Sequence, residues 1–101
     1  MMNPEIANSI TALIRYTNLD QTEALIGSEY ELGRLNWDKI DNATFTSQRD
    51  FILIEVLRFL SGRDTAIPLS ALKHLPIDDL GAVVVALQTY LGFNKMAITF
   101  N

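Results

Sequence analysis

Residues 51–60 read FILIEVLRFL, and wound as a helix they leave little circumference for water. At 100° per residue, Phe59, Ile52, Val56, Leu60, Leu53, Leu57 and Ile54 cover an arc of about 220°. Only Glu55, Arg58 and the neighbouring Phe51 mark the other side. A surface helix usually hides a stripe little wider than about 100°. One with twice that stripe must be covered by other helices on several sides, so it lies at the centre of a helical packing. Thr46 or Ser47 can cap it, Asp50 suits its first turn, and Gly62 can end it, which predicts a helix over 48–61.

The rest of the chain supplies the covering. Asn3 can cap a first helix with Pro4 at its first position and Glu5 at the positive end of its dipole. Ile6, Ile10, Leu13 and Ile14 then fall on one stripe, which fades near Tyr16, Thr17 and Asn18. Residues 19–45 read as two or three short helical pieces. Asp20-Gln21-Thr22-Glu23 has capping-box spacing before a stop at Gly27. Ser28-Glu29-Tyr30-Glu31 offers a second start before Gly33, and Asn36 caps one more turn through Trp37 and Ile40. These pieces are expected to set Leu25, Leu32, Leu35, Trp37 and Ile40 against the core, with 41–44 as a loop.

After Gly62, residues 68–75 read as a brief helix broken at Pro76-Ile77. Asp78 or Asp79 caps a last helix running to about Leu91, and Gly92 stops it. Lys95 to Phe100 alternates as a short strand would. The expected fold is mainly α: one compact helical domain over 1–101, with a helix-turn-helix-like C-terminal half and a short C-terminal β-strand.

Composition excludes several function classes. Net charge is −4, and the eight basic residues are spread along the chain with no two adjacent. A phosphate backbone repels such a surface, so nucleic acid is not an expected partner. The absence of cysteine removes disulfides, thiol catalysis and thiolate metal sites together. The first sixteen residues lack the basic region of a secretory signal, and no apolar run approaches the length of a membrane span. A cytoplasmic protein that does not enter a membrane is expected.

The last helix has two unlike faces. Leu80, Val83, Val84, Leu87, Tyr90 and Leu91 lie within about 120° and form an expected core stripe. Gly81, Ala82, Val85, Ala86, Gln88 and Thr89 make the other side, small and nearly uncharged. Two of the three successive valines are thus expected in the core, and Val85 outside it. Two readings of Val85 stay open. It is a solitary exposed apolar residue, or its face admits another helix at close range, from the N-terminal half or from a second chain.

From Ser47 onward, a long helix, a polar turn, a short helix, a tight break, a longer helix and a strand follow one another. The stretch ILIEVLRFLSGRDTAIPLSALKHLPIDDLGAVVVALQTYLGFNKMAITF resembles the winged helix-turn-helix pattern through its apolar spacing. The resemblance implies that Ile67, Leu69 and Leu72 seat the short helix and that Leu80, Val84 and Leu87 seat a recognition helix. Its outward surface would be Gly81, Ala82, Val85, Gln88 and Thr89. DNA-binding members carry arginine, lysine, asparagine or glutamine at such positions. Here Gln88 and Thr89 alone could read a base, Asp78 and Asp79 would repel phosphate, and the wing would offer only Lys95.

No set of residues points to catalysis. His74 is the sole histidine and has no evident orienting partner. Asp78-Asp79 suits a helix start, and Glu23, Glu29 and Glu31 suit a solvated face. No metal or cofactor is implied. The expected function is a non-enzymatic protein-interaction or regulatory module, self-associating as a homodimer in its simplest form. Trp37, Gly81, Ala82, Val85, Gln88 and Thr89 are its candidate partner-binding residues. The alternative is a winged-helix DNA-binding regulator.

Overall fold

The chain is described by a computed structural model over residues 4–45, 47–65 and 67–91. These residues are mainly helical, and none of them forms a strand. Helix α1 spans Pro4–Thr17 and buries Ile10, Leu13 and Ile14, as the stripe predicts. Ser9 and Thr17 are buried beside them, because each hydroxyl donates to a carbonyl of its own helix: Ser9 to Ile6 at 2.7 Å, Thr17 to Leu13 at 2.6 Å. The expected cap, Asn3, lies outside the described residues.

The middle of the chain is a run of short turns. A 3-10 turn covers Leu19–Gln21, a second covers Tyr30–Leu32, and helix α2 covers Trp37–Asp41. The Lys39 N–H donates to the Asn36 side chain at 3.1 Å, so Asn36 caps α2 as expected. The Asp20–Glu23 capping box does not form. Thr22 instead turns its hydroxyl back to the Leu19 carbonyl at 2.6 Å, and the Ile26 N–H closes one helical turn onto Thr22 before Gly27. Leu25 and Ile40 are buried, and Leu35 and Trp37 half-buried against the core. Leu32 is exposed, contrary to expectation: its three-residue turn has room for one inward residue, and Tyr30 takes that place.

Helix α3, Gln48–Leu60, is the centre of the packing, with Ile52, Leu53, Ile54, Val56, Leu57 and Leu60 buried. Ser47 caps it by accepting the Asp50 N–H at 3.3 Å; Thr46 lies outside the described residues. At its end Gly62, at φ 76°, lets the Gly62 N–H reach Phe59 O and the Arg63 N–H reach Arg58 O. Two expectations reverse here. Glu55 is buried, because the following loop folds back and Thr65 donates to its carboxylate at 2.8 Å. Phe59 is half exposed, its ring centroid 5.8 Å from that of Tyr90.

Residues Leu69–His74 form a 3-10 helix, and helix α4 spans Ile77–Leu91. Leu69 does not seat the short helix; it is 80% exposed, while Ile67 and Leu72 pack inward. Helix α4 begins before Asp78 and Asp79, the Leu80 N–H donating to the Pro76 carbonyl, so both acids lie in its first turn and neither caps it. Gly92 and the expected strand over 95–100 lie outside the described residues.

The largest departure is the roll of α4 about its axis. Asp79, Ala82, Val83 and Ala86 are its buried residues, and α1 is its most extensively packed neighbour. Leu80, Leu87 and Tyr90 are only partly covered. At 100° per residue, the buried arc is turned about 90° from the predicted stripe, toward the small residues. Val84 and Leu91 leave the core and Ala82 enters it. The physical reason is close approach: alanines at 82 and 86 let α1 pack nearer than leucines would.

Candidate functional site

The roll of α4 decides which of its residues face solvent. Ile77, Gly81, Val84, Gln88 and Leu91 fall within about 80° of one another and all face solvent. Ile77 is 84% exposed, Val84 47% and Leu91 57%. They recur every seven residues, with Gly81 and Gln88 between them in the 3–4 alternation of a helix-pairing seam. Val85, 42% exposed, flanks this ridge. Asp78 and Asp79 are the only charged residues of α4, and Asp79 is buried.

Of the sequence candidates on this helix, Gly81, Val85 and Gln88 lie on the open side and Thr89 at its margin, with its hydroxyl donating to the Val85 carbonyl at 3.0 Å. Ala82 does not belong with them, since it is packed under α4. Sequence reasoning missed Ile77, Val84 and Leu91, having read the latter two as core. The seven-residue spacing of the three was the available signal. It was masked by the broader apolar band of Leu80, Val83, Leu87 and Tyr90 beside it.

Trp37 is not joined to the ridge's residues by any hydrogen bond or ring contact. It stands at the start of α2, half-buried, with the Arg63 guanidinium carbon 4.5 Å and that of Arg58 5.5 Å from its ring centroid. Asp41 holds both cations, Arg58 at 2.6 Å and Arg63 at 3.7 Å, and Arg58 Nε also lies 3.4 Å from Glu55. Trp37 therefore ties α2 to the end of α3 through a cation–π and ion-pair network.

A cleft of about 300 Å³ opens between α3, the 69–74 turn and α4. Val56, Phe59, Leu69, Leu72, Val83 and Leu87 make its apolar walls. Glu55 and Thr65 supply its polar lining, and each satisfies the other at 2.8 Å. Such a cleft can hold apolar groups.

Electrostatically, every arginine of the chain is engaged with a carboxylate: Arg15 with Glu31, Arg34 with Glu29, Arg49 with Asp79 and Asp50, Arg58 with Asp41, and Arg63 with Asp41. Hydrogen bonds donated to Asp79 raise the Arg49 pKa further above its already alkaline value. Hydrogen bonds to Glu31 and Tyr30 do the same for Arg15. His74 is exposed at the end of its turn. Among the described residues no three His, Asp or Glu converge as a metal site would require, and no helix is long and apolar enough to cross a membrane.

No family model, curated protein or solved structure matches the chain.

Proposed function

We propose that this protein is a non-enzymatic interaction module that associates with a second copy of itself through the outer ridge of α4. The observation that carries this reading is the exposure of Ile77, Val84 and Leu91 at seven-residue spacing on a helix face without lysine or arginine. An apolar seam of this period is what one helix offers another. Left in water it is unfavourable, and covering it contributes roughly 25 cal/mol for each Å² of apolar surface removed from water. A second copy brings the same seam, so the contact is isologous and closes on itself.

The alternative, duplex DNA lying along α4, draws on the outward amide of Gln88 and on the order of helices from Gln48 to Leu91. It is the weaker reading. No cation stands on α4, Asp78 is exposed at the end that would enter the groove, and the arginines are already paired.

Light scattering over a range of concentrations tests the first reading. The expected result is a mass that rises toward twice 11.3 kDa, returned to that of one chain by Val84→Glu with the helical circular dichroism unchanged. A single-chain mass at every concentration overturns it. A mobility shift of duplex DNA at low salt would favour the alternative.

A further inference from the structure

The apolar cleft between α3, the 69–74 turn and α4 has one wall that is fastened unlike the other two. We propose that residues 67–75 open as a unit away from α3 and α4, and that the hydrogen bond from Thr65 to Glu55 is the latch that holds them closed. The opening needs no second copy of the chain.

Backbone hydrogen bonds do not tie this wall to the body. The Ala71 N–H donates to the Pro68 carbonyl and the Leu75 N–H to that of Leu72, so both bonds stay inside the segment. Among the described residues, no backbone bond joins 67–75 to another element. Apolar contact is sparse as well. Leu75 alone is buried, Ile67 and Leu72 are partly buried, and Pro68, Leu69, Ser70, Lys73 and His74 are exposed. The turn packs on α3 far less extensively than α1 packs on α4. A segment with few buried apolar contacts and no shared backbone bonds opens at a free energy well below that of the whole fold.

The two ends of the wall are pinned. On one side the Arg63 N–H bonds to the Arg58 carbonyl, and its guanidinium stands over Trp37 and beside Asp41. On the other, the Leu80 N–H closes the first turn of α4 onto Pro76. Between these pins Thr65, itself exposed, donates its hydroxyl to Glu55 Oε2 at 2.8 Å. Glu55 belongs to α3, is only 7% exposed, and has its other oxygen 3.4 Å from Arg58 Nε of the same helix. The latch thus runs from a loop in water to a carboxylate fixed in the centre of the packing. Val56 and Val83, both buried, line the cleft together with Leu72, so lifting the wall uncovers them. In the open state water takes the place of Thr65 at the carboxylate, and losing the hydroxyl therefore favours opening by roughly tenfold, the scale of a hydrogen bond to a charged group.

The chain has no cysteine, so one introduced thiol reports one place without background. Val83→Cys sets a thiol beneath the wall, and its reaction with dithionitrobenzoate can be timed at low urea concentrations, well below the unfolding transition. The expected reaction is slower than that of a free thiol and nearly independent of urea, because a local opening exposes little surface. Adding Thr65→Val should raise the rate roughly tenfold. Thr65→Ser, which keeps the hydroxyl, should react as slowly as the Val83→Cys chain with Thr65 intact. A rate as steep in urea as global unfolding of the same chain, followed by circular dichroism, would overturn the separate opening of 67–75. The speed of a free thiol would mean that the wall does not cover Val83. A rate unmoved by Thr65→Val would overturn the latch.

Discussion

Arg49 grips Asp79 across thirty residues of chain with two parallel hydrogen bonds, Nε to Oδ2 at 2.6 Å and Nη2 to Oδ1 at 3.0 Å. The same guanidinium donates to the Thr17 carbonyl at the end of α1, and through Nη1 to Asp50 at 2.9 Å in the first turn of α3. Three helix ends therefore meet at one cation. Each charge also suits the dipole it faces: the arginine stands at the C-terminal end of α1, and the two aspartates lie in the first turns of α3 and α4. The roll of α4 follows from this clasp as well as from its alanines, because turning the helix back to its predicted face would pull Asp79 away from Arg49.

Breaking this clasp should cost the fold about 2 kcal/mol, the scale for charge-assisted hydrogen bonds at a largely buried carboxylate. Arg49→Met and Asp79→Asn should each lower the urea midpoint without changing the slope of the transition. The double variant should be little worse than Arg49→Met alone, because that change already removes both bonds that Asp79 accepts. Additive losses would show that the two side chains act separately.

The pH dependence of the clasp has a definite sign. Hydrogen bonding by Asp79 raises the Arg49 pKa in the folded state above its unfolded value. Stability from a raised group is fully present below its unfolded pKa and is lost only as pH climbs through the folded one. Both values lie far above neutrality. The stability difference between wild type and Arg49→Met should therefore be the same at pH 7 and pH 10, measured by urea unfolding. A difference that shrank by pH 10 would mean that the contribution depends on a group titrating between those two values and not on the arginine.

The sequence foretold helices where the periodicity was wide or the caps were local. The wide apolar pattern of 51–60, the stripe from Ile6 to Ile14 and the Asn36 cap each involve neighbours a turn or so apart, and each gives the element read from it, although Phe59 stands half exposed. Burial that depends on distant residues was not legible. Glu55 looks like an outward residue until Thr65 folds over it, and Asp79 looks like a solvated helix start until Arg49 arrives from α3. Ala82 and Ala86 carry little hydrophobic weight on a wheel, yet small size is what α1 needs from its neighbour. The candidate site inherited that error. Gly81, Val85 and Gln88 stand on the open face, whereas Ala82 does not, and two ridge residues had been assigned to the core.

Ala86 and Val85 give the sharpest check on the roll of α4. Ala86 is fully buried and Val85 is 42% exposed. Ala86→Leu should destabilise by about 1–3 kcal/mol, the usual cost of overpacking. Val85→Leu should stay within about 0.5 kcal/mol of wild type. Thermal unfolding of the two variants decides the matter, and an Ala86→Leu chain as stable as Val85→Leu would restore the predicted stripe, which sets both residues outside the core.

Trp37 is the chain's sole tryptophan, so its fluorescence reports one environment. Arg63 stands over the ring and is largely exposed, so Arg63→Ala should cost no more than about 1 kcal/mol. It should nonetheless increase acrylamide quenching of Trp37, because one face of the ring loses its cover. Unchanged quenching would mean that Arg63 does not shield the indole in solution.

Gly81 separates what the monomer needs from what the ridge needs. It lies inside α4 on the exposed side, and nothing of its own chain stands within 4 Å of an added Cβ. Glycine in a helix interior costs up to about 1 kcal/mol relative to alanine. In a Val84→Glu background, where the chain is held as one copy, adding Gly81→Ala should raise the unfolding free energy by about 0.5–1 kcal/mol. In the wild-type background the same methyl group stands on the face proposed for self-association, so the dissociation constant read by light scattering should rise. A gain in stability with no change in association would mean that the space above Gly81 is not used by a second copy. No gain in either background would mean that this stretch of α4 is not held as a regular helix.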